Sequence, residues 1–349
     1  MELVTTLPAD TPLHAVGTRV RRIEALGFDT VHIPETVHDS LSVALLALEH
    51  STSLTVRTSM TLAFPRSPMV IAYAAWDLAR FSGGRFQLGL ASQVRGNIVG
   101  RFSVPWSRPS PWLADYIGAL RAIFAAFGTG EPLDYRGSHY RFDRLQPYFN
   151  PGPAPIAPPP IWTGGVNRRM CLAAGAHADG YVSHATNSHP RFLRDTTLPS
   201  LAEGAASAGR HDGGPRVVVV SFCVTGADRA ALDASRELVR RELAFLYSTP
   251  AYRPTLAILG HEGLGARLTE LVREQRWERL SSVLTDGALS GLVPEGDFTE
   301  LPGVLHDWYG LLCDGLAIRP PDDPADDARF AAMLESIKDI PARGHHPAV

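Results

Sequence analysis

Glu35, His38 and Asp39 fall within five positions of one another in DTVHIPETVHDS, directly after an apolar alternation that runs into Pro34. A carboxylate beside an imidazole can fix the ring's orientation and tautomer, so that the ring gives or takes a proton near neutral pH. A second histidine, His184, follows another apolar run in DGYVSHATN, between Ser183 and Thr186. Ser59, Met60 and Thr61 stand in LTVRTSMTLAF, and Ser92 and Gln93 close LGLASQV. Each of these has an ordinary reading as a solvated turn or helix cap. Their recurrence at the end of one apolar run after another points instead to a shared rim. Gly164 and Gly165, followed by Val166 and Asn167 in IWTGGVNRRM, lie where a strand hands over to a helix. Backbone N–H groups there can approach an anion such as a phosphate, although neither the P-loop nor the GxGxxG spacing is present.

Other chemistries lack their patterns. No HxH or HExxH spacing accompanies the histidines, and Cys171, Cys223 and Cys313 form no CxxC pair, so no metal site and no disulfide framework are expected. Ser92 lacks the second glycine of a GxSxG elbow, which argues against a serine hydrolase.

The elements that would carry these residues alternate. ELVTTL reads as a strand, and TPLHAVGTRVRRIEALGF then places Ala15, Val20, Ile23 and Leu26 at helical spacing before a glycine stop. TVHIPE, LTVRTSMTLAF and RFQLGLAS supply three more strands, each followed by a helix; Ser67 caps the third helix with Pro68 in its first turn. After the proline-rich connection LQPYFNPGPAPIAPPP the alternation resumes with IWTGG, DGYVSHA and RVVVVSFCVTG, and a weaker eighth strand is expected in DGLAIRPP. This order predicts one α/β domain over residues 1–340, a closed (β/α)8 barrel, with an open doubly wound sheet as the competing arrangement. A helical insertion is expected at about 249–305, acting as a lid through Tyr252 and Arg253 or as a packing element at a homodimer interface. Residues 341–349 are expected to form a disordered tail.

The chain has 349 residues, 45% hydrophobic and 20% charged, with a formal charge of -3. No basic run suggests nucleic acid or an anionic membrane, and no apolar run reaches the ~18 residues of a membrane span. A cytoplasmic protein with a small-molecule partner is expected, its three cysteines reduced.

ETVHD, FPRSPMVIAYAAWDL, FSGGRFQLGLASQV, RFSVPWSRP, GAHADGYVSHA and YSTPAYRP together resemble the luciferase-like flavin and deazaflavin oxidoreductases, in particular their actinobacterial branch assigned to coenzyme F420. The likeness runs from about residue 1 to about residue 320. It implies a TIM barrel of the bacterial-luciferase type and a flavin-like ring in its mouth. It places a bulge with a non-prolyl cis peptide at Ser59 and Met60 behind that ring, with Thr61, Ser92 and Gln93 beside it. The cofactor phosphate would lie at Gly164, Gly165, Val166 and Asn167, and Ser183 and His184 would close the pocket. Relatives that oxidise sugar phosphates or alcohols carry Asp-His after strand 2 and Glu after strand 4; Glu35-Thr36 and Gln93 stand here instead. The expectation is therefore an F420-dependent reductase that moves hydride to a C=C or C=N bond of a small-molecule or peptide natural-product intermediate. His38 is the expected proton donor, oriented by Glu35 or Asp39, with His184 as second choice. A reduced-FMN monooxygenase is the alternative, and a non-catalytic barrel that serves as a binding partner is the third reading.

Overall fold

The computed structural model describes residues 1–211 and 213–344. Eight parallel strands close into a barrel: β1 Glu2–Thr6, β2 Thr30–Ile33, β3 Thr55–Thr58 resuming at Thr61–Leu62, β4 Phe86–Ala91, β5 Ile161–Gly164, β6 Gly180–Val182, β7 Arg216–Val220 and β8 Gly315–Ala317. Pairing of Val56 with Phe86 and of Arg57 with Gln87 joins β3 to β4 and removes both sheet edges, which excludes the open doubly wound sheet. Alternation along the strands divides the side chains between two cores. Leu3, Val31, Val56, Leu88, Ile161, Tyr181, Val217 and Leu316 face the helices. Val4, Trp162, Val182, Val218 and Ala317 fill the barrel interior.

The outer layer consists of α1 Val16–Ala25, α2 Ser40–Glu49, α3 Pro68–Phe81, α4 Pro109–Thr129, α5 Arg168–His177, α6 Leu198–Ser207, α7 Arg229–Tyr247 and α8 Asp327–Lys338. Ser67 caps α3 with Pro68 in the first turn, as its sequence implied, and Asp228 caps α7 through Ala231 N at 2.9 Å. Gly130 ends α4 at φ 75°, a left-handed conformation that costs glycine little. Two elements had no counterpart in the sequence reading: a short helix, Arg95–Gly100, after β4, and a hairpin pairing Tyr135–Arg136 with Arg141–Phe142. Nor was α8 anticipated, although Phe330, Met333, Leu334 and Ile337 are buried at helical spacing.

Between α7 and β8 the chain builds a set of short helices, including Pro254–Ile258, Glu262–Arg273 and Asp286–Ser290. They bury Leu256, Leu268, Leu271 and Leu289 against Val239, Leu243 and Tyr247 of α7 in a core of their own. The expected tail disorder needs correction at its start. Pro341 O accepts from Leu311 N and Arg343 N donates to Cys313 O, both at 2.9 Å. Residues 345–349, the rest of that expectation, lie outside the described residues. Cys171, Cys223 and Cys313 are all free thiols. No described helix is long and apolar enough to cross a membrane.

The barrel floor is ionic. Arg57, with no solvent exposure, donates to Glu2 Oε1 at 2.8 Å and to Gln87 Oε1 at 2.7 Å, meets His32 Nε2 at 3.0 Å, and lies 3.5 Å from the Trp162 ring centroid. Arg216 takes the other Glu2 oxygen at 2.9 Å. Burial pushes the His32 imidazole well below its ordinary range, and the Arg57 cation adds to this, so the ring stays neutral.

Candidate active site

In β3 the ladder to β4 is interrupted. Residues 58–60 stand opposite 88–89, and the Ser59–Met60 peptide is cis. The Thr58 hydroxyl fills the gap, accepting from Gly89 N at 2.9 Å and donating to Gly89 O at 3.0 Å. This is a bulge whose missing backbone bonds are made by one side chain. The kink turns Met60 over the barrel interior, where Gly89 leaves it room. A Cβ on Gly89 would lie 1.9 Å from Thr58 O and 2.7 Å from Met60 Sδ, whereas Gly164 is kept bare by the Val182 carbonyl, 2.8 Å from where its Cβ would stand. The thioether thus forms a flat apolar platform at the mouth. Thr61, expected beside the cofactor, turns the other way; it is fully buried and its hydroxyl meets Ser40 Oγ at 2.9 Å.

Strands β5 and β6 build the second wall. Asn167 caps α5, its Oδ1 accepting from Met170 N at 3.1 Å. Tyr181 OH donates to Gly165 O at 2.5 Å, and Asn187 Nδ2 donates to Val166 O at 2.9 Å. These bonds hold the carbonyls of the loop inward and leave its N–H groups outward. Among the described residues, the N–H groups of Val166, Asn167 and Arg168 donate to no protein atom. Together with the α5 dipole they form an anion cradle of the kind a phosphate fits. Gly165 is held close to the helix, since a Cβ there would lie 2.4 Å from Met170 Cβ. Ser183 belongs to the wall rather than the opening: it is buried, with its Oγ 2.6 Å from Ser188 Oγ and accepting from Val220 N at 3.1 Å.

The two acids after β2 are committed to a cation rather than to His38. Glu35 pairs with Arg66 at 2.8 Å and also accepts from Ser40 Oγ and Leu62 N. Asp39 caps α2 through Ser42 N at 2.8 Å and takes the same Arg66 at 2.7 Å. Burial raises the Asp39 carboxyl, but the Ser42 hydrogen bonds and the Arg66 charge outweigh it and hold the group below its usual range. The assignment of either acid as orienter of His38 is thereby corrected; the Arg66 guanidinium, which also donates to Leu62 O at 3.1 Å, draws both carboxylates away. His38 itself is half-buried and makes no hydrogen bond or ion pair among the described residues. Its ring is available to a substrate.

His184, at the end of β6, is positioned from two sides. Its Nδ1 lies 2.8 Å from Thr186 Oγ1 and accepts from Thr186 N at 3.4 Å, which leaves the proton of the neutral ring on Nε2. Tyr252, from the insertion, stacks on it with centroids 4.4 Å apart. Burial pushes the imidazole down to about 4, so at neutral pH it is an uncharged hydrogen-bond donor. Arg253, expected to reach the mouth with Tyr252, folds back toward Tyr247 O and Ser248 O. After β4, Ser92 is half-buried, and Gln93 adopts φ 56° with its own Oε1 accepting from Val94 N at 2.8 Å. A glutamine in the left-handed region at a barrel rim is an outlier of the sort that collects at functional sites. Arg101 ties this loop to the one after β2, donating to Thr36 O at 2.9 Å.

Thr58, Gly89, Tyr181 and Asn187 escaped sequence reasoning. Only Gly89, a glycine in the middle of an apolar strand, carried a signal, since such positions mark close backbone approach. No group of three or more His, Cys, Asp or Glu among the described residues is placed to hold a metal ion.

The model of the luciferase-like monooxygenase family matches residues 2–313. A Mycobacterium tuberculosis protein, itself uncharacterised, is 34% identical over 297 residues, covering 85% of this chain and 86% of its own length. An F420-dependent glucose-6-phosphate dehydrogenase from Nakamurella multipartita is 30% identical over 143 residues, 41% of this chain and 40% of its own. Among solved structures, the coenzyme F420 dependent tetrahydromethanopterin reductase from Methanopyrus kandleri superposes with a TM-score of 0.78 at 16% identity, over 97% of this chain and 99% of that one.

Proposed function

The chain belongs to the luciferase-like monooxygenase family, a family of oxidoreductases, and on that premise we propose that it is a coenzyme F420-dependent reductase acting on a C=C or C=N bond of a small molecule or peptide intermediate. The observation that carries the reading is the pairing of the Met60 platform with the anion cradle on the adjoining strands. Gly89 keeps the platform open, and the N–H groups of Val166, Asn167 and Arg168, unpaired among the described residues, suit a phosphate. These residues fit a flat tricyclic ring carrying a phosphorylated side chain. The F420-dependent relative supports a deazaflavin over FMN.

When bound, the reduced deazaflavin supplies a hydride. The protein must then hold the acceptor, stabilise developing negative charge and deliver one proton. His184 presents Nε2–H as an uncharged donor toward a carbonyl or imine nitrogen, and Tyr252 shields that donor from water. His38, with no competing partner, delivers the proton. Arg66 holds Glu35 and Asp39 as a rigid ion cluster that fixes the loop bearing His38. Gln93 stands where a carboxyl would serve alcohol oxidation and offers only an amide, which supports reduction over dehydrogenation of sugar phosphates.

Titration of the purified protein with F420 and with FMN, followed by fluorescence, tests the reading. Micromolar F420 affinity and weak FMN affinity are expected. FMN binding with oxygen consumption would replace the proposal with a monooxygenase, and failure to bind either would favour a non-catalytic barrel. His38→Asn should lower kcat by roughly 10²–10⁴ while leaving F420 affinity unchanged.

A further inference from the structure

Gln93 is half-buried just past the end of β4 and holds φ 56°, a conformation that glycine would adopt at lower cost, which directs attention to its side chain. Val94 N donates to its Oε1 at 2.8 Å. Since a backbone N–H can only donate, that bond fixes which way the amide is turned. The oxygen is taken by the loop, and Nε2, which makes no hydrogen bond among the described residues, is left with two N–H donors to offer. Strand register places them. Thr61, Leu90, Thr163 and Tyr181 are successive partners across β3, β4, β5 and β6. Met60 stands one residue before that row, against Gly89 of β4, and Gln93 follows on the same β4 three residues past the row, as His184 does on β6. From the other side, Arg101 of the loop that Gln93 opens donates to Thr36 O at 2.9 Å, two residues before His38. The free amide therefore belongs to the part of the rim shared by the platform and the proton donor.

The charges nearby separate the two bond types. An imine accepts hydride most readily once protonated, and the resulting cation needs an anion beside it. Glu35 and Asp39 are both engaged by Arg66, at 2.8 and 2.7 Å, and supply none. A carbonyl oxygen needs only donors and has two lone pairs to receive them. We propose that Gln93 is the specificity-determining residue of the site, and that it selects a C=C bond conjugated to a carbonyl whose oxygen accepts from Gln93 Nε2. The proposal rests on the reductase reading above and narrows its substrate class. Hydride from the reduced deazaflavin adds to the alkene carbon remote from the carbonyl. The C=C electron pair shifts toward the carbonyl carbon and the C=O pair moves onto oxygen, where the Gln93 and His184 N–H groups meet the charge. A proton from His38 to the alkene carbon beside the carbonyl then restores C=O, leaving a saturated C–C bond and the deazaflavin oxidised by two electrons. A hydroxyl in place of the carbonyl would bring a hydrogen for which Gln93 holds no free partner, so the unsaturated alcohol is disfavoured.

Ligand-observed NMR titration of the protein loaded with oxidised F420, using cyclohex-2-enone and cyclohex-2-enol as probes, tests this. The parent should bind the ketone about fivefold or more tighter than the alcohol, the worth of one hydrogen bond. Gln93→Glu keeps an acceptor for Val94 N but sets a carboxylate oxygen where the donors stood, and should reverse the order. Gln93→Leu should abolish the preference without reversing it. F420 affinity should be unchanged in both variants, and the thermal midpoint of each establishes that it is folded. Equal binding of the two probes by the loaded parent, binding of neither, or one and the same order in the parent and Gln93→Glu overturns the proposal. So does a loss of F420 affinity in Gln93→Glu, which would put the amide on the cofactor. A parent that binds FMN and no F420, yet shows the ketone preference and its reversal when loaded with FMN, would leave the role of Gln93 standing and overturn the cofactor reading instead.

Discussion

Tyr252 lies flat against His184, ring centroids 4.4 Å apart and planes 20° from parallel. The contact joins the insertion between α7 and β8 to the end of β6. Tyr247, at the end of α7, reinforces it by donating its hydroxyl to Thr186 O at 3.1 Å. Because burial holds the His184 imidazole near 4, a residue covering its face should set its titration. Tyr252→Ala should raise the imidazole toward the ordinary 6.5, read by NMR titration of the ring protons. A value that stays near 4 would show that the β6 loop alone desolvates the ring.

The same depressed value has a consequence for acid stability. The folded pKa lies below the unfolded one, so between about 4 and 6.5 the unfolded chain binds more protons and stability falls with falling pH. The contribution is present above 6.5, declines through the window, and is lost below about 4, a total of up to about 3 kcal/mol. His184→Phe should flatten the acid limb in urea melts between pH 7 and pH 4.5. His32 titrates in the same direction and is unchanged in that variant, so part of the slope persists.

Much of the barrel was legible because its strands are short apolar runs ended by Gly, Ser or Pro, and its helices carry caps at readable offsets. Asp39 illustrates the limit. Beside its reading as an acid for His38, an Asp directly before the apolar run SLSVALLALE is the signature of a helix cap, and the local sequence holds both readings. What tips it is Arg66, 27 residues away, which no periodicity couples to Glu35 or Asp39. Glu2 likewise meets Arg57 and Arg216 across 55 and 214 residues. The glycine pair and the Met60 position were found because backbone demands leave local marks. Ion pairs and the Tyr252 stack are set by the closed barrel, and a chain read residue by residue does not show them.

Gly165 supplies a steric prediction. Its missing side chain lets the β5 loop press on α5, where a Cβ would come within 2.4 Å of Met170 Cβ. Gly165→Ala must therefore push the loop off the helix N-terminus and misplace the N–H groups of Val166 and Asn167. F420 affinity should fall at least tenfold, with a loss of about 1–3 kcal/mol in stability from overpacking. Gly96→Ala, in open space on the short helix after β4, is the control and should change neither.

Beneath the site, Arg57 predicts the largest stability effect. Its guanidinium has no solvent exposure and serves Glu2, Gln87 and His32 together, while its face rests on Trp162. Arg57→Met keeps most of the volume but leaves Glu2 with Arg216 and Thr30 only, and deprives the buried His32 Nε2 and the half-buried Gln87 Oε1 of their donor. Breaking one side of a buried pair costs about 3–5 kcal/mol, because the remaining charge stays desolvated. Chemical denaturation should show that loss, and Arg57→Lys should recover only part of it, since an ammonium cannot reproduce the planar fork. The double variant Arg57→Met with Glu2→Gln should be less destabilised than the sum of its parts, because the orphaned carboxylate is then gone. Additive losses would mean that the contact with Trp162, rather than the ion pair, is what Arg57 contributes to the barrel floor.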